Sequence, residues 1–564
     1  MSQLFSYCFD VLSGPSKADS GEELSKNVEH HMTAVLAILV DESQTLPAEV
    51  VDVILAQFLR ADPRVAPTGS SKNKKNGHVD EKQSTLLLKE APPPYNMAKN
   101  ICNSCPDKMA RHIGQYFSSV IVDASTAIAS VPKHKSRKRA SSEMDDSEDE
   151  VLRGPTEEDL EEAKKAHRLL RELWRCTPDV LQDIIPHLQD ELGAENVQLR
   201  LLATETFGDM ISGIGAAGPP PPAVLNPVAY PSQSLAPPSD YTQVYNFLTT
   251  PTSPHSFPAS HSQPYQSFLS RKQDKSSIIR AAWTTSIGRI LMTSAGGVGL
   301  DPEEEQKLLR YLAEMLVDVD ERVRLAAVRS IEQFNFNDIV QKLGSMGSAS
   351  EMGSVLFNLA DRVKDRKHSI RAEAMNLLGK IWGVASGAIA EGNERISKLL
   401  GPIPSKILGA CYINDLEINV LVDHVMFESL LPLNYPPIKP KPTANGGSQI
   451  VKDSQKNGDH GYTESELDKI RTERQLVLVR DLDDRAKMVY FARQANQAAG
   501  AKYMEAFLKK CEDYNVSIAP PYTNTHDNIL QGRRRRKRRK GSQRTTRRSH
   551  CILLQSSTRR LTNS

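Results

Sequence analysis

The chain has 564 residues, longer than one ordinary domain, and its 71 Lys and Arg residues against 69 Asp and Glu give a formal net charge of +2. Alternating apolar strand patterns are scarce and aromatic residues make up 6% of the chain, which argues against a mostly β fold. A run of about 18 apolar residues and the start of a signal peptide are both absent from the sequence, so we expect a soluble, intracellular, all-α protein.

Residues 1–130 are predicted to form N-terminal helical repeats. Cys102 and Cys105 form a C-x-x-C motif, but a zinc site needs a second ligand pair, and His112 alone does not supply one. The surrounding pattern is helical, so we expect both thiols to be small buried side chains. His30 and His31 are expected on a helix surface. Scattered free cysteines fit a reducing compartment.

Residues 131–160 form a predicted disordered linker that runs from basic to strongly acidic. Its basic part fits a nuclear-import signal, and a plain solvated linker is the alternative. The basic residues are Lys133, Lys135, Arg137, Lys138 and Arg139. Ser141, Ser142 and Ser147 stand beside acids and are candidate phosphate acceptors.

A spacing of six residues between an acid and an arginine recurs at the start of three predicted helices. The pairs are Asp274 and Arg280, Asp318 and Arg324, and Asp365 and Arg371. Successive copies are 44 and 47 residues apart by their numbering, within the period of about 40–47 that is typical of HEAT-type helix pairs. A looser fourth copy places Glu195 five residues before Arg200. The sequence therefore predicts HEAT repeats at 161–215 and 266–437.

Each second helix is preceded by a predicted first helix. Asp301 is a predicted N-cap followed by Pro302 and three glutamates, a typical helix start. Pro186 is expected to kink the first helix of the earliest repeat. Because one helix pair cannot bury its own apolar face, we predict that the pairs stack into an α–α superhelix, a HEAT-repeat solenoid.

The repeated acid and arginine are predicted to be structural. An Asp in the turn between paired helices and an Arg early in the second helix would bond to neighbouring turns. Repetition at the period of the fold is typical of packing and not of catalysis, so we expect a ladder through the stack. Its predicted members are Arg200, Asp274, Arg280, Asp318, Arg324, Asp365 and Arg371.

Two further breaks interrupt the helical pattern. Residues 216–265 are a predicted Pro-rich insertion between repeats, either a passive loop or a docking segment for a partner. Residues 438–462 are a predicted flexible linker, and residues 463–520 a further helical repeat.

Residues 521–564 form a predicted basic disordered tail, which fits a nuclear-import signal or a phosphate-binding arm. A gene-model or frame error would also produce such a sequence. The import candidates are Arg533, Arg534, Arg535, Arg536, Lys537, Arg538, Arg539 and Lys540. From Arg533 onward there are 13 Lys or Arg and no acids, which leaves about −11 elsewhere, of which residues 143–162 carry −10. The helical body is therefore nearly neutral, which argues against duplex DNA wrapped on the solenoid.

No nucleotide-binding, zinc-protease or serine-hydrolase motif occurs in the sequence. We expect a non-enzymatic protein with no cofactor, because a helical solenoid typically works as an extended binding surface.

The wording of several stretches resembles one family, the cohesin-associated HEAT-repeat regulators known as "precocious dissociation of sisters", in a fungal version. The stretches are "LPAEVVDVILAQFL", "YNMAKNICNSCPDKMARHIGQYFSSVIVDAS", "LRELWRCTPDVLQDIIPHLQDELGAENVQLRLLATETFGDMI", "FLSRKQDKSSIIRAAW", "DRVKDRKHSIRAEAMNLLGKIW", "INDLEINVLVDHVMFESLLPLNYPPI" and "RTERQLVLVRDLDDRAKMVYFARQA". Together they cover most of residues 1–520.

The resemblance implies a nuclear, chromosome-associated scaffold that binds the kleisin subunit of cohesin, the wings-apart-like release factor and the cohesin acetyltransferase. It implies contact with chromatin through cohesin, roles in maintaining and dissolving sister chromatid cohesion in mitosis and DNA repair, no membrane contact and no small-molecule substrate. Part of the kleisin footprint is expected at about 408–515. Arg474, Arg480 and Lys487 there are candidate contacts on a charged helix face, with an ordinary solvated face as the alternative.

Members of that family continue with many more repeats, so the chain is expected to be a truncated form or to lack the C-terminal repeats. Two alternative functions stay open. One is a HEAT-repeat scaffold of the nuclear-transport or phosphatase type, and the other is nonspecific nucleic-acid binding through the tail.

Overall fold

The computed structural model describes residues 1–13, 22–60, 92–129, 157–213, 224–230, 256–295, 297–437 and 462–518. Regular secondary structure in these ranges is helical throughout, and none of these residues lies in a strand. The prediction of an all-α repeat fold is confirmed.

Among the described residues, five helices form the N-terminal part. They are α1 (Ser2–Ser13), α2 (Glu22–Glu42), α3 (Ala48–Arg60), α4 (Pro93–Ser104) and α5 (Pro106–Ala129). Their apolar stripes meet in one core, in which Phe9, Ile54 and Phe58 are fully buried. Cys102 and Cys105 are buried, as predicted, and His30 and His31 lie exposed on α2, also as predicted.

The next helices are α6 (Glu157–Cys176), a 3₁₀ turn (Pro178–Leu181), α7 (Ile185–Leu192) and α8 (Val197–Ile211). The prediction of a kink at Pro186 was wrong. The chain makes a 3₁₀ turn and then starts a new helix, with Pro186 in its first turn, where a missing N–H costs no hydrogen bond. The helix α6 begins at Glu157, inside the predicted linker and three residues before the expected end of that linker at 160.

The central repeats contain eight helices and three 3₁₀ turns among the described residues. They are α9 (Phe257–Ser260), α10 (Ser262–Ser270), Arg271–Gln273 (3₁₀), α11 (Ser277–Thr293), α12 (Pro302–Met315), α13 (Glu321–Glu332), α14 (Phe336–Gln341), Leu343–Met346 (3₁₀), α15 (Val355–Asp361), Arg362–Lys364 (3₁₀) and α16 (His368–Ala390). The helices α9 and α10 begin inside the predicted Pro-rich insertion, so its expected boundary at 265 was too late.

The C-terminal part contains α17 (Glu394–Leu400), α18 (Ile403–Gly409), Ala410–Ile413 (3₁₀), α19 (Leu416–Val425), a π-helical turn (Met426–Leu430), α20 (Glu464–Arg480) and α21 (Asp484–Ile518). The start of α20 is a capping box, in which Thr463 and Glu466 bond each other's backbone N–H.

Second helices of consecutive repeats pack side by side, in the order α8, α11, α13 and α16, while first helices form the other layer. Glycines allow the second helices of neighbouring repeats to approach each other closely. A Cβ on Gly208 would lie 2.1 Å from the Ser286 hydroxyl, and a Cβ on Gly288 would lie 2.5 Å from the Ser330 Cβ. Small residues at these crossings therefore set the spacing of the stack.

Helix starts follow the capping signals in the sequence. The Asp301 carboxylate accepts from the Glu303 N–H, as the predicted N-cap requires.

The predicted import signals at 133–139 and 533–540 and the tail at 521–564 lie outside the described residues. Among the described helices, none is both long and apolar enough to cross a membrane.

Candidate functional site: the arginine ladder and the C-terminal surface

Arg200, Arg280 and Arg324 each donate two hydrogen bonds forward to the acid of the next repeat. Arg280 Nε and Nη2 each lie 2.9 Å from a carboxylate oxygen of Asp318. Arg324 repeats this geometry on Asp365 at 2.7 and 2.9 Å. Arg200 bonds Asp274 at 3.1 and 3.4 Å.

The third nitrogen of each guanidinium points back to the turn of its own repeat. Nη1 of Arg324 donates to the carbonyls of Asp318 (2.8 Å) and Val319 (3.0 Å), six and five residues earlier. Nη1 of Arg200 makes the matching bonds to Ala194 and Glu195 at 2.6 and 2.8 Å. Ala194 therefore occupies the place of the repeated Asp in the fourth copy, not Glu195.

The Asp carboxylates also hold their own turns. Asp318 accepts from the backbone N–H of Asp320 at 2.7 Å, and Asp365 accepts from that of Lys367 at 3.0 Å. Each guanidinium thus joins two successive turns, and each carboxylate fixes the loop that receives it.

The ladder continues at its C-terminal end onto a residue that the sequence pattern did not single out. Arg371 Nη2 donates to the Glu417 carboxylate, in the first turn of α19. Glu417 replaces the turn Asp because no residue of the next helix pair repeats the Asp-Arg spacing.

Burial and hydrogen bonding pull the pKa of Asp365 in opposite directions. Burial raises the pKa of Asp365, but the hydrogen bonds from Arg324 and from the Lys367 backbone together lower it by more. The pKa of Asp365 therefore lies below its ordinary value of 3.8. The Asp318 hydrogen bond raises the pKa of Arg280 in spite of burial.

A second set of buried charges links the same helices. Asp209 on α8 accepts from Arg171 of α6 and from Arg289 of α11, each at 2.6 Å, and its side chain is 5% exposed. Sequence reasoning missed this set, because the three residues do not recur at the repeat period.

The predicted candidate Arg474 does not lie on a charged face. Its residue is 5% exposed, so the prediction of a solvent-facing position was wrong. Nε and Nη2 donate to the carbonyls of Leu430 (2.8 Å) and Ser429 (2.7 Å), at the end of the π-helical turn. Arg474 is thus drawn inward to satisfy terminal helix carbonyls that would otherwise be unpaired.

The sequence held a signal for this position. Leu467, Arg474 and Leu478 are at i, i+7 and i+11, which is one face of a helix, and the first and last are fully buried. An arginine at a position within an apolar stripe is expected to be buried and to need carbonyl groups as hydrogen-bond acceptors.

The two other candidates differ from Arg474. The Arg480 side chain is 55% exposed and pairs with Asp481 at 2.7 Å. Lys487 is partly buried on α21. The structure therefore does not bring the three candidates together into one cationic patch.

A row of exposed apolar residues marks the start of α19. Ile413 (47% exposed), Leu416 (48%) and Val420 (53%) are spaced at i, i+3 and i+7, and Tyr412 precedes them at 53%. Leu416 and Val420 are four residues apart and so lie on one face of α19, and Tyr412 and Ile413 belong to the 3₁₀ turn that precedes the helix. We call Tyr412, Ile413, Leu416 and Val420 the α19 row.

Helix α21 holds α19 in place. The Tyr412 hydroxyl donates to the Arg485 carbonyl at 3.0 Å, and Arg493 Nη2 lies 3.0 Å from the Asn419 side-chain oxygen. Arg493 also pairs with Asp423. The α19 row is therefore a fixed surface that is apolar and rimmed by charge, an arrangement typical of a protein-binding site.

Nothing in the described residues supplies metal chemistry. No group of three or more His, Cys, Asp or Glu among them could hold a metal ion. Cys102 is fully buried, and burial raises the pKa of its thiol far above the ordinary value of 9.0, so it is not a reactive thiolate.

Comparisons with known proteins point to one family. The family model described as "Sister chromatid cohesion protein PDS5 protein" matches residues 1–549. The chain is 26% identical over 407 residues to the sister chromatid cohesion protein pds5 of Schizosaccharomyces pombe, which covers 72% of this chain and 26% of that protein. It is 22% identical over 505 residues to the sister chromatid cohesion protein PDS5 of Saccharomyces cerevisiae, covering 88% of this chain and 30% of that one.

A solved structure of a Pds5–Scc1 complex has the same fold. It matches with a TM-score of 0.52 and 20% identity, over 88% of this chain and 55% of that chain. The chain thus spans less than a third of the length of the two curated relatives.

Proposed function

The chain belongs to the PDS5 family of sister chromatid cohesion proteins, as the resemblance in its sequence predicted, and we propose that it acts as a non-enzymatic scaffold for cohesin. In this proposal the solenoid binds the kleisin subunit of cohesin and thereby controls maintenance and release of sister chromatid cohesion, in mitosis and in DNA repair. A stack of helix pairs supports this role, because it offers an extended binding surface.

The α19 row is the observation that carries the proposed binding site. Its exposed residues lie within the expected footprint at 408–515, on an element that Arg493 of α21 holds in place through Asn419. Apolar side chains inside a charged rim are the usual centre of a protein interface. The Pds5–Scc1 complex is a relative in which a partner of this class is bound.

We further propose that the wings-apart-like release factor and the cohesin acetyltransferase are partners of the same scaffold, and that it contacts chromatin through cohesin. A nuclear, chromosome-associated location follows from that assembly. The relatives are cohesion proteins, which supports both proposals at the level of the family.

A pull-down with the kleisin subunit tests the central proposal. The full chain and a chain of residues 1–520 are compared at two salt concentrations. We expect retention of the kleisin by both chains at both salts, because an apolar contact depends little on ionic strength. Absence of binding by a chain that is folded by circular dichroism would contradict the proposal.

A further inference from the structure

Part of the Pro-rich insertion packs against the C-terminal repeats. Residues 224–230, which we call the strap, lie in the connection between α8 and α9. The strap nevertheless packs against Gly383 of α16, Arg474 of α20 and Tyr435, which follows the π-helical turn. Arg474 Nη1 donates to the Pro227 carbonyl at 2.8 Å, across 247 positions of sequence.

The strap has the form of a turn with an anchor on each side. The Asn226 side-chain oxygen accepts from the Val228 N–H at 3.1 Å, and its carbonyl accepts from the Ala229 N–H at 3.3 Å. This is an Asn-Pro turn that exposes the Pro227 carbonyl. Leu225 before the turn is 7% exposed, and Tyr230 follows it.

The surface beneath the strap is shaped to receive it. Gly383 leaves the space, since a Cβ there would lie 2.5 Å from the Pro227 Cβ and 2.7 Å from the Ser429 carbonyl oxygen. The rings of Tyr435 and Tyr462 each lie 6.1 Å from the Tyr230 ring, edge to face. We call Gly383, Tyr435, Tyr462 and Arg474 the strap pocket.

Arg474 makes the strap pocket selective for a carbonyl. Its guanidinium lies 4.3 Å from the centre of the Tyr435 ring. Two of its nitrogens are engaged by helix carbonyls, so the third is left to face the strap. A buried donor without an acceptor costs free energy, which favours a ligand that brings a carbonyl to that point.

The chemistry of this contact does not depend on covalent attachment. The Pro227 carbonyl and the Tyr230 ring are the groups that the pocket contacts, and a separate peptide can carry both of them. Because the strap belongs to the same chain, it competes with such a peptide at a high effective concentration, on the order of millimolar for a short flexible tether.

We propose that the strap pocket is a peptide-binding site, that the strap is its internal ligand, and that an Asn-Pro-turn segment of another protein displaces the strap. The partner segment carries an apolar residue two positions before the proline and an aromatic residue three positions after it, as Leu225 and Tyr230 stand to Pro227. Occupancy of the pocket by the strap closes the site until such a segment outcompetes it.

The experiment uses the full chain and a fluorescent peptide with the sequence of residues 222–232, in fluorescence anisotropy. The strap is disabled in the double variant Leu225→Ala and Tyr230→Ala. We expect this variant to bind the peptide at least about 10-fold more tightly than the unmodified chain does, because the internal competitor is lost. A peptide with Ala in place of the proline and tyrosine is the control and is expected not to bind.

The pocket is tested by Tyr462→Ala in the strap-disabled background. Tyr462 precedes the N-cap of α20, so this change leaves the helix carbonyl contacts of Arg474 in place. We expect it to weaken peptide binding at least about 10-fold, with an unchanged circular dichroism spectrum. Equal binding by the unmodified and strap-disabled chains, or none by either chain when folded, overturns the proposal.

Discussion

Arg324 and Asp365 join two consecutive helix pairs through both oxygens of one carboxylate, at 2.7 and 2.9 Å, while the same guanidinium bonds two carbonyls of its own turn. The Asp365 side chain is 1% exposed and that of Arg324 is 11% exposed. A planar fork with three engaged nitrogens fixes the distance and the angle between repeats together. We propose on this geometry that the ladder stabilises the stack.

Arg324→Ala is expected to destabilise the protein by about 3 kcal/mol, because it leaves a buried carboxylate with one fewer cation and two carbonyls without donors. Arg324→Lys is expected to recover only part of this, since an ammonium group lacks the fork. Urea denaturation measures both, and partner binding at a permissive temperature should persist. Arg322→Ala, an exposed arginine two positions away, is the matched control, and an equal midpoint for Arg324→Ala and Arg322→Ala would refute the ladder.

Acid should weaken the ladder at Asp365. The pKa of this carboxyl in the folded state lies below its ordinary value of 3.8, so its contribution is fully present above about pH 3.8 and is lost as the pH falls through the folded pKa. Asp365→Asn removes the charge at every pH, so the variant should be less stable than the unmodified chain at pH 7, and the difference should shrink below pH 3.8. Urea midpoints from pH 7 to pH 3 measure it.

The control for that series is Asp361→Asn, whose side chain is 56% exposed in its pair with Arg362. An exposed pair contributes little, so its effect should be small at every pH. A difference for Asp365→Asn that stays constant with pH would contradict the assignment.

Periodicity made the stack predictable, because the period of helix pairs and the six-residue spacing are both properties of the local sequence. Arg280, Arg324 and Arg371 could be assigned to second-helix starts for this reason. Glu417 could not, since it replaces an Asp of the pattern at a different position of its unit. The Asp209 set likewise depends on which helix faces meet across the stack.

Arg474 shows a different limit of prediction from sequence. Its spacing from Leu467 places it on the buried face of α20, whereas its charge is typical of a surface contact. The acceptors that make its burial possible come from the π-helical turn and from Pro227, both distant in sequence. Neither could be located by propensity, and the strap itself lies in a stretch whose composition predicts either a passive loop or a docking segment.

Gly288→Ala should loosen the crossing of α11 and α13. The added Cβ would lie 2.5 Å from the Ser330 Cβ, so the helices must separate, which costs about 1–3 kcal/mol. Gly288→Ala combined with Ser330→Gly should recover part of the loss. Gly500→Ala is the matched control, because nothing lies within 4 Å of its Cβ position in α21, and it should leave stability unchanged or raised by up to about 1 kcal/mol. Thermal unfolding measures all three.

The basic tail makes a separate prediction about nucleic acid. It holds 13 Lys or Arg from Arg533 onward and no acids. Binding of the full chain to duplex DNA should therefore fall steeply with salt and be lost when residues 533–548 are deleted, because released counterions supply its free energy. Kleisin capture by the deleted chain should be unchanged. DNA affinity that survives the deletion would place the contact on the helical body.

Val420→Asp should reduce kleisin capture without a loss of stability. The side chain is 53% exposed at the C-terminal end of the α19 row, so a charge there would face water in the free protein and an apolar partner surface in the complex. We expect at least about a 10-fold loss of affinity, since desolvating an unpaired carboxylate costs more than the contact gains. Val319→Asp is the matched control, because Val319 is 93% exposed at a ladder turn outside the proposed site. Titration calorimetry with the kleisin fragment measures the affinity of both variants, after thermal unfolding has shown that their melting temperatures are equal. Equal affinities would move the kleisin site away from α19, whereas a loss confined to Val420→Asp places an apolar anchor of the partner against this row.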